Sequence, residues 1–133
     1  RRVGTGVDPK RLAMIVAVLS RHAGVPLGTA DVFVNVAGGL RIDEPGADLA
    51  VLLAFASARR DDPVSPETVA LGEIGLGGEV RQVPQAARRL AEARRLGFRR
   101  AIVPPSTPDV HGLELVRVED VRNALAAVRF FDD

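Results

Sequence analysis

A glycine-rich stretch in the middle of the chain places the strongest constraint on its fold. Residues 72–80 read GEIGLGGEV, and the last three glycines supply the positive φ angles that a tight chain reversal needs. Residues 69–71 before it and 81–83 after it alternate between two faces, as strands do. The stretch therefore predicts a β-hairpin whose second strand runs into Pro84 and a helix.

Helix and strand signals alternate irregularly along the rest of the chain. An Asp-Pro pair at residues 8–9 begins the first helix, since Asp suits the N-cap and Pro the first turn, and Gly24 ends it. Further helices are predicted to begin at Asp43, Pro84 and Glu119, and further strands to lie at residues 31–36, 40–42, 98–103 and 113–118. Because a hairpin interrupts the alternation, the sequence predicts a single α+β domain of two layers over residues 1–133.

The third predicted helix, at residues 84–96, has an apolar stripe along one side. Steps of three and four residues place Ala87 on the same side as Leu90, so Ala87 is expected to be buried. The stripe as a whole comprises Val83, Ala86, Ala87, Leu90 and Ala93. The opposite side of the helix is polar.

Positive charge is concentrated around the same helix. Residues 81–100 contain seven arginines and one acid, Glu92, which gives a local net charge of +6, whereas the whole chain carries +1. Such a segment favours contact with DNA phosphates, and the absence of Trp and Tyr argues against base stacking. The candidate DNA-binding residues are Arg81, Arg88, Arg89, Arg95, Arg99 and Arg100. An ordinary solvated helix face is the alternative interpretation.

Composition argues against several kinds of site. Cysteine is absent and the two histidines are distant in sequence, so no metal site is predicted and a cytoplasmic protein is expected. Since no apolar run approaches the length of a membrane span, no membrane contact is expected. The only methionine, Met14, lies inside an apolar segment, which indicates a fragment of a longer protein.

The sequence contains no intact catalytic constellation. A serine nucleophile needs a base within hydrogen-bond reach. The only lysine, Lys10, precedes Ser20 by ten residues on one helix, which separates them by nearly three turns. A Ser–Lys dyad is therefore not expected, and motifs for phosphate or dinucleotide binding are also missing.

Two motifs resemble the proteolytic domain of the Lon protease family. Residues 72–80 are similar to its G-E-[IV]-[TG]-L-x-G-x-V segment, and residues 43–48 to its D-G-P-S-A-G segment. The resemblance puts Gly46 at the position of the nucleophilic serine and Ala87 at that of the general-base lysine. Neither residue can attack a carbonyl or accept a proton, so peptidase activity is not implied.

Nearly the whole chain resembles the C-terminal Lon-like domain of the RadA (Sms) family of bacterial DNA-repair proteins. The matching segments include residues 2–4, 8–12, 31–36, 38–39, 44–50, 72–81 and 96–98. The resemblance implies a ribosomal-protein-S5-domain-2 fold and a non-catalytic domain that contacts DNA and helps to build a hexameric ring.

The resemblance also implies a longer parent protein. That parent would be a RecA-like ATPase with an N-terminal zinc finger, acting in recombination and branch migration, so ATP, Mg and Zn are expected only in its other domains. Two alternatives remain open, namely a Lon-type peptidase with a displaced dyad and a pure oligomerisation domain without DNA contact.

Overall fold

Helices and short strands share the described part of the chain. A computed structural model describes residues 2–5, 8–25, 32–35 and 44–132. The helices are α1 (Pro9–His22), α2 (Asp48–Arg60), α3 (Ala86–Arg95) and α4 (Val121–Asp132). The strands are β1 (Arg2–Thr5), β2 (Val32–Asn35), β3 (Thr68–Ala70), β4 (Glu73–Ile74), β5 (Val80–Arg81), β6 (Arg100–Val103) and β7 (Glu114–Arg117). The predicted mixture of helix and sheet is confirmed, whereas the strand predicted at 40–42 lies outside the described residues.

Residue chemistry explains where the first two helices begin and end. The Asp8 carboxylate accepts a hydrogen bond from the Lys10 amide at 3.0 Å, and Gly24, at φ 66°, follows the last turn of α1. A single 3-10 turn, Pro45–Ala47, precedes α2, so this helix begins later than predicted. No helix in the described ranges is long and apolar enough to span a bilayer.

Within the described ranges, the strands form three separate groups. In the largest, β6 lies between β3 and β7, and all three run parallel. β1 and β2 also pair in parallel, whereas β4 and β5 form an antiparallel pair. Parallel neighbours cannot be joined by a tight turn, so the chain crosses over between β3 and β6. That crossover contains both the hairpin and α3, and it brings them to the sheet.

The hairpin is present, but its first strand differs from the prediction. β4 and β5 flank a turn in which the Gly78 amide donates to the Gly75 carbonyl at 2.9 Å. Residues 69–71, predicted to be the first hairpin strand, instead belong largely to β3, where Val69 lies opposite Ala101 of β6. Their alternation reflects pairing with a distant strand, which a local pattern does not reveal.

Two apolar clusters form the core of the described residues. The larger joins α1, α2 and α4 and includes the fully buried Ile15, Leu52 and Ala124. The smaller packs Leu90 of α3 against β6. Burying one leucine side chain contributes about 1.5–3 kcal/mol, so much of the attachment of α3 to the sheet depends on this residue.

Ala87 is exposed, and the prediction that it is buried is wrong. Its neighbour Ala86 and Leu90, four residues later, are the buried members of the helix. Ala86, Leu90 and the half-buried Ala93 mark the centre of the buried side of α3. One residue corresponds to about 100° around the helix, so Ala87 lies at the edge of that side and faces the solvent.

Candidate nucleic-acid interface and the vacant dyad position

Gly46, the position predicted to lack the nucleophile, is buried in the turn that precedes α2. Its carbonyl accepts a hydrogen bond from the Gly72 amide at 3.0 Å, and the Gly72 carbonyl accepts one from Leu49 at 3.1 Å. A Cβ atom at Gly46 would lie 2.6 Å from Nη1 of Arg89, well inside van der Waals contact. The space that a nucleophilic side chain would need is therefore occupied by the Arg89 guanidinium.

Arg89 is held over Gly46 by an ion pair with Glu44. Arg89 lies on α3 and Glu44 immediately before the turn that contains Gly46, so the pair joins residues 45 positions apart. Ala87 is two residues earlier on α3 and therefore about 200° around the helix from Arg89. Ala87 thus faces solvent, whereas Arg89 points towards Gly46.

Asp48, which sequence reasoning missed, is buried at the first turn of α2, with 1% of its surface exposed. Its Oδ2 accepts hydrogen bonds from Nη1 of Arg11 at 2.6 Å and from the Ile74 amide at 3.1 Å. Burial raises the pKa of the Asp48 carboxyl, while the bonds from Ile74 and Arg11 act in the opposite direction. Oδ1 has no partner among the described residues. The available sequence signal was one acid inside an otherwise apolar run.

Most of the predicted DNA-binding arginines have acidic partners within the chain. Arg95 makes two hydrogen bonds to Glu92, at 2.9 and 2.5 Å, and this contact lowers the pKa of Glu92. The other ion pairs are Arg81 with Glu79 and Glu73, Arg89 with Glu44, Arg99 with Glu67, and Arg100 with Glu114. Exposed ion pairs contribute little stability, so phosphates can replace the carboxylates.

Arg88 differs from the other five candidates, because it donates a long hydrogen bond of 3.4 Å to the Gln85 amide oxygen. Arg88, Glu92 and Arg95 are exposed and follow one another at four- and three-residue steps on one face of α3. The structure thus brings Arg88 and Arg95 together.

The remaining candidates are spread around α3. Arg81 lies before the helix, Arg99 and Arg100 follow its end, and Arg89 points towards Gly46. DNA contact by the six arginines stays a prediction.

Known proteins resemble this chain over most or all of its length. Residues 10–107 match the model of a family described as subunit ChlI of Mg-chelatase. DNA repair protein RadA of Escherichia coli is 45% identical over 133 residues, which is 100% of this chain and 29% of that protein. The Bacillus subtilis protein of the same name is 41% identical over 129 residues, or 94% of this chain and 28% of that protein.

A third relative has the same name and a similar extent of match. DNA repair protein RadA of Mycolicibacterium smegmatis is 43% identical over 130 residues, 97% of this chain and 28% of that protein. The chain thus spans less than a third of the length of these relatives. The chain belongs to the family of the ChlI model and is a homologue of one part of DNA repair protein RadA.

Proposed function

We propose that this chain is a non-catalytic, Lon-like scaffold and DNA-contact domain of a RadA-type ATPase that acts in DNA repair, recombination and branch migration. The observation that carries the proposal is the arrangement at Gly46, where the Arg89 guanidinium, paired with Glu44, fills the space of a nucleophile. In this proposal the intact protein is a cytoplasmic hexameric ring, and its other domains bind ATP, Mg and Zn.

The contact between Gly46 and Gly72 supports a Lon-like fold of the ribosomal-protein-S5-domain-2 type. The two segments that resemble Lon motifs, residues 43–48 and 72–80, are distant in sequence, yet two backbone hydrogen bonds link Gly72 to the start of α2. A match at two separate motifs carries more weight when their backbones touch, because the motifs then describe one site rather than two accidental similarities.

Loss of peptidase chemistry follows from the atoms at the two dyad positions. Gly46 and Ala87 provide neither a nucleophilic oxygen nor a proton acceptor. Incubation of the intact protein with an unfolded protein substrate should leave that substrate uncut. Cleavage that a single serine substitution in this chain abolishes would contradict the proposal.

The exposed face of α3 supports DNA contact. Arg88 and Arg95 are about 10 Å apart along the helix axis at 1.5 Å per residue, a spacing that suits neighbouring phosphates. The Arg88→Ala/Arg95→Ala variant of the intact protein should bind a fluorescent 30-base-pair duplex more weakly than the wild type. Loss of two phosphate contacts should also make the log–log salt slope shallower by about 1–2.

Substitution of Glu92 should change the affinity for DNA in the opposite direction. Its carboxylate competes with phosphate for Arg95, so Glu92→Gln should strengthen binding to the same duplex. The Arg59→Ala/Arg60→Ala variant, at the far end of α2, is a charge-matched control for the double arginine variant. Equal affinities for the wild type, Arg88→Ala/Arg95→Ala and Glu92→Gln, with unchanged circular dichroism, would remove α3 from the DNA contact.

A pure oligomerisation domain is the second candidate function, and the ion pairs favour it. Five of the six candidate arginines already have a carboxylate partner, as surface arginines without a ligand often do. Under this alternative, α3 variants would alter neither the affinity for DNA nor its salt dependence, while removal of residues 1–133 from the intact protein would still change the state of assembly.

A further inference from the structure

A cleft lies where the end of α1, the tip of the hairpin and the start of α4 meet. It consists of two adjoining depressions of about 500 and 230 Å³, which share Arg21, His22 and Gly77 in their walls. The larger volume falls within the range of sites that enclose ligands. The cleft is therefore large enough to receive a side chain from another molecule.

The larger depression has an apolar side. Leu76, at the tip of the hairpin, has 77% of its surface exposed, the highest exposure of any large apolar residue in the described part of the chain. Ala17 and Val18 of α1 line the same depression. An apolar side chain placed against Leu76 would remove this surface from water, which favours binding.

Two arginines stand beside this apolar side. Arg21 and Arg122 are both exposed, and within the described residues neither forms an ion pair, in contrast to Arg81 and Arg95. Arg122 Nε donates to the His22 carbonyl at 2.9 Å, so the guanidinium is anchored while its two Nη groups are not committed by that bond. Both side chains can therefore accept an anionic partner without displacing a carboxylate of this chain.

The charge balance of the cleft indicates what kind of anion it fits. Asp120 also lines the wall, so the lining carries a formal charge of only +1 when His22 is neutral. Affinity for a nucleic-acid backbone depends on the number of phosphates that are neutralised, and a net charge of +1 contributes little to it. One or two carboxylates next to an apolar side chain match both sides of the cleft, because a guanidinium binds a carboxylate through two parallel hydrogen bonds.

The walls of the cleft are fixed before any partner binds. The Val121 amide donates to the Gly78 carbonyl at 2.9 Å, which ties the hairpin to α4. A Cβ atom at Gly78, whose φ is 86°, would lie 3.0 Å from Cβ of His22, so only glycine lets the hairpin pack this closely against α1. A preformed site loses less conformational entropy on binding than one that must first be ordered.

We propose that this cleft is the docking site for an acidic peptide segment of a partner protein, with an apolar side chain against Leu76 and carboxylates at Arg21 and Arg122. Recognition of acidic motifs by clustered arginines is a general mode of peptide binding. The inference goes beyond the proposed function, because the partner is a protein and none of the candidate DNA-binding arginines lines the cleft.

The test measures binding of a fluorescent peptide, a leucine with four glutamates on each side, to variants of the intact protein. Arg21→Ala/Arg122→Ala should weaken binding about tenfold and remove most of its salt dependence, since two exposed charge pairs are lost. Leu76→Ser should weaken binding about threefold to fivefold and leave the salt dependence unchanged, because it removes apolar area and no charge. Circular dichroism should not change, since all three side chains are exposed.

Two further peptides separate the apolar contact from the charged one. A peptide with serine in place of the leucine should bind the wild type more weakly, but should bind Leu76→Ser as well as the leucine peptide does, because that contact is already lost. A peptide with glutamine in place of every glutamate should bind the wild type no better than the acidic peptide binds Arg21→Ala/Arg122→Ala.

The Arg59→Ala/Arg60→Ala variant is again the charge-matched control, since Arg60 lies beside Val128, towards the other end of α4 from the cleft. It should bind the acidic peptide like the wild type. Equal affinity of the wild type and the cleft variants for this peptide would overturn the proposal.

Two other results would assign the cleft to a different occupant and would also overturn the proposal. One is a 30-base-pair duplex that displaces the peptide and loses more affinity than the peptide does in Arg21→Ala/Arg122→Ala. The other is a wild type that does not bind the peptide, together with loss of self-association in the cleft variants, which would place a second copy of the chain in the cleft. DNA contact by α3 is decided by its own variants and stands or falls separately.

Discussion

The carboxylate of Asp48 connects three elements at one buried point. Arg11 of α1 and the Ile74 amide of β4 both donate to it, and Asp48 itself begins α2. Breaking such a contact leaves a buried polar group unsatisfied, and its cost usually exceeds the value of the bond itself. We therefore expect Asp48→Ala, which leaves the Ile74 amide without its acceptor, to destabilise the domain by about 2–4 kcal/mol.

Replacement of Asp48 by asparagine tests the protonation of the same group. Burial raises the pKa of Asp48 above its unfolded value, so the folded protein binds this proton more tightly and loses stability as the pH rises from the usual Asp range through the folded pKa. Asn does not titrate, so Asp48→Asn should gain stability relative to the wild type towards neutral pH. Chemical denaturation at several pH values measures the difference, and parallel stability curves would contradict the expectation.

Gly46 is the other residue at which one added atom, the Cβ of alanine, should change the stability of the domain. Gly46→Ala would push its Cβ into the Arg89 guanidinium, which must then move away from Glu44. Because the obstructing atom is the end of a flexible side chain, the cost should be modest, about 1–2 kcal/mol. In an Arg89→Ala background the same substitution should cost clearly less. Equal costs in both backgrounds, from urea denaturation, would show that Arg89 does not obstruct Gly46.

At the scale of elements, sequence chemistry predicted helix ends well and strand partners poorly. As expected, Asp8 caps the start of α1 and Gly24 follows its last turn. Gly97, at φ 104°, follows α3. The left-handed conformation of Gln85, at φ 58°, has no sequence signal, and α3 begins only after it. The pairing of β3 with β6 depends on a distant partner.

At the candidate site, too, the sequence predicted the residue types but not the contacts between residues that are distant in the chain. Residue type alone indicated that Gly46 lacks a nucleophile. The guanidinium above it belongs to Arg89, whose ion-pair partner Glu44 lies 45 residues earlier in the chain. A sequence pattern does not specify a contact between two residues so far apart in the chain.

The phase of α3 gives a prediction for two adjacent alanines. Ala87→Lys should change the free energy of unfolding by less than about 0.5 kcal/mol, because the new side chain lies in solvent. Ala86→Lys should cost about 2–4 kcal/mol, since Ala86 is buried and an ammonium group there would be desolvated. Denaturation midpoints of the two variants provide the comparison. A larger loss for Ala87→Lys than for Ala86→Lys would show that Ala87, and not Ala86, faces the core.

At the scale of the whole molecule, the chain is one part of a longer protein in its relatives. We expect the intact protein to self-associate and the isolated chain to do so only weakly, because an interface that several domains share loses most of its area when one domain stands alone. Sedimentation velocity over a range of concentrations should show concentration-dependent association that is stronger for the intact protein. A strict monomer in both forms would contradict the proposed ring.

Most arginines around α3 already have carboxylate partners within the chain, so their charge is largely neutralised before any ligand binds. Arg95 is bound to Glu92 and Arg81 to Glu79, so an incoming anion must displace a carboxylate before it gains a guanidinium. A single phosphate has little to gain from that exchange. A long polyanion replaces several carboxylates at once, and each exchange after the first takes place within one complex, at a high effective concentration. In the proposed function, this surface should therefore bind long DNA and not single nucleotides.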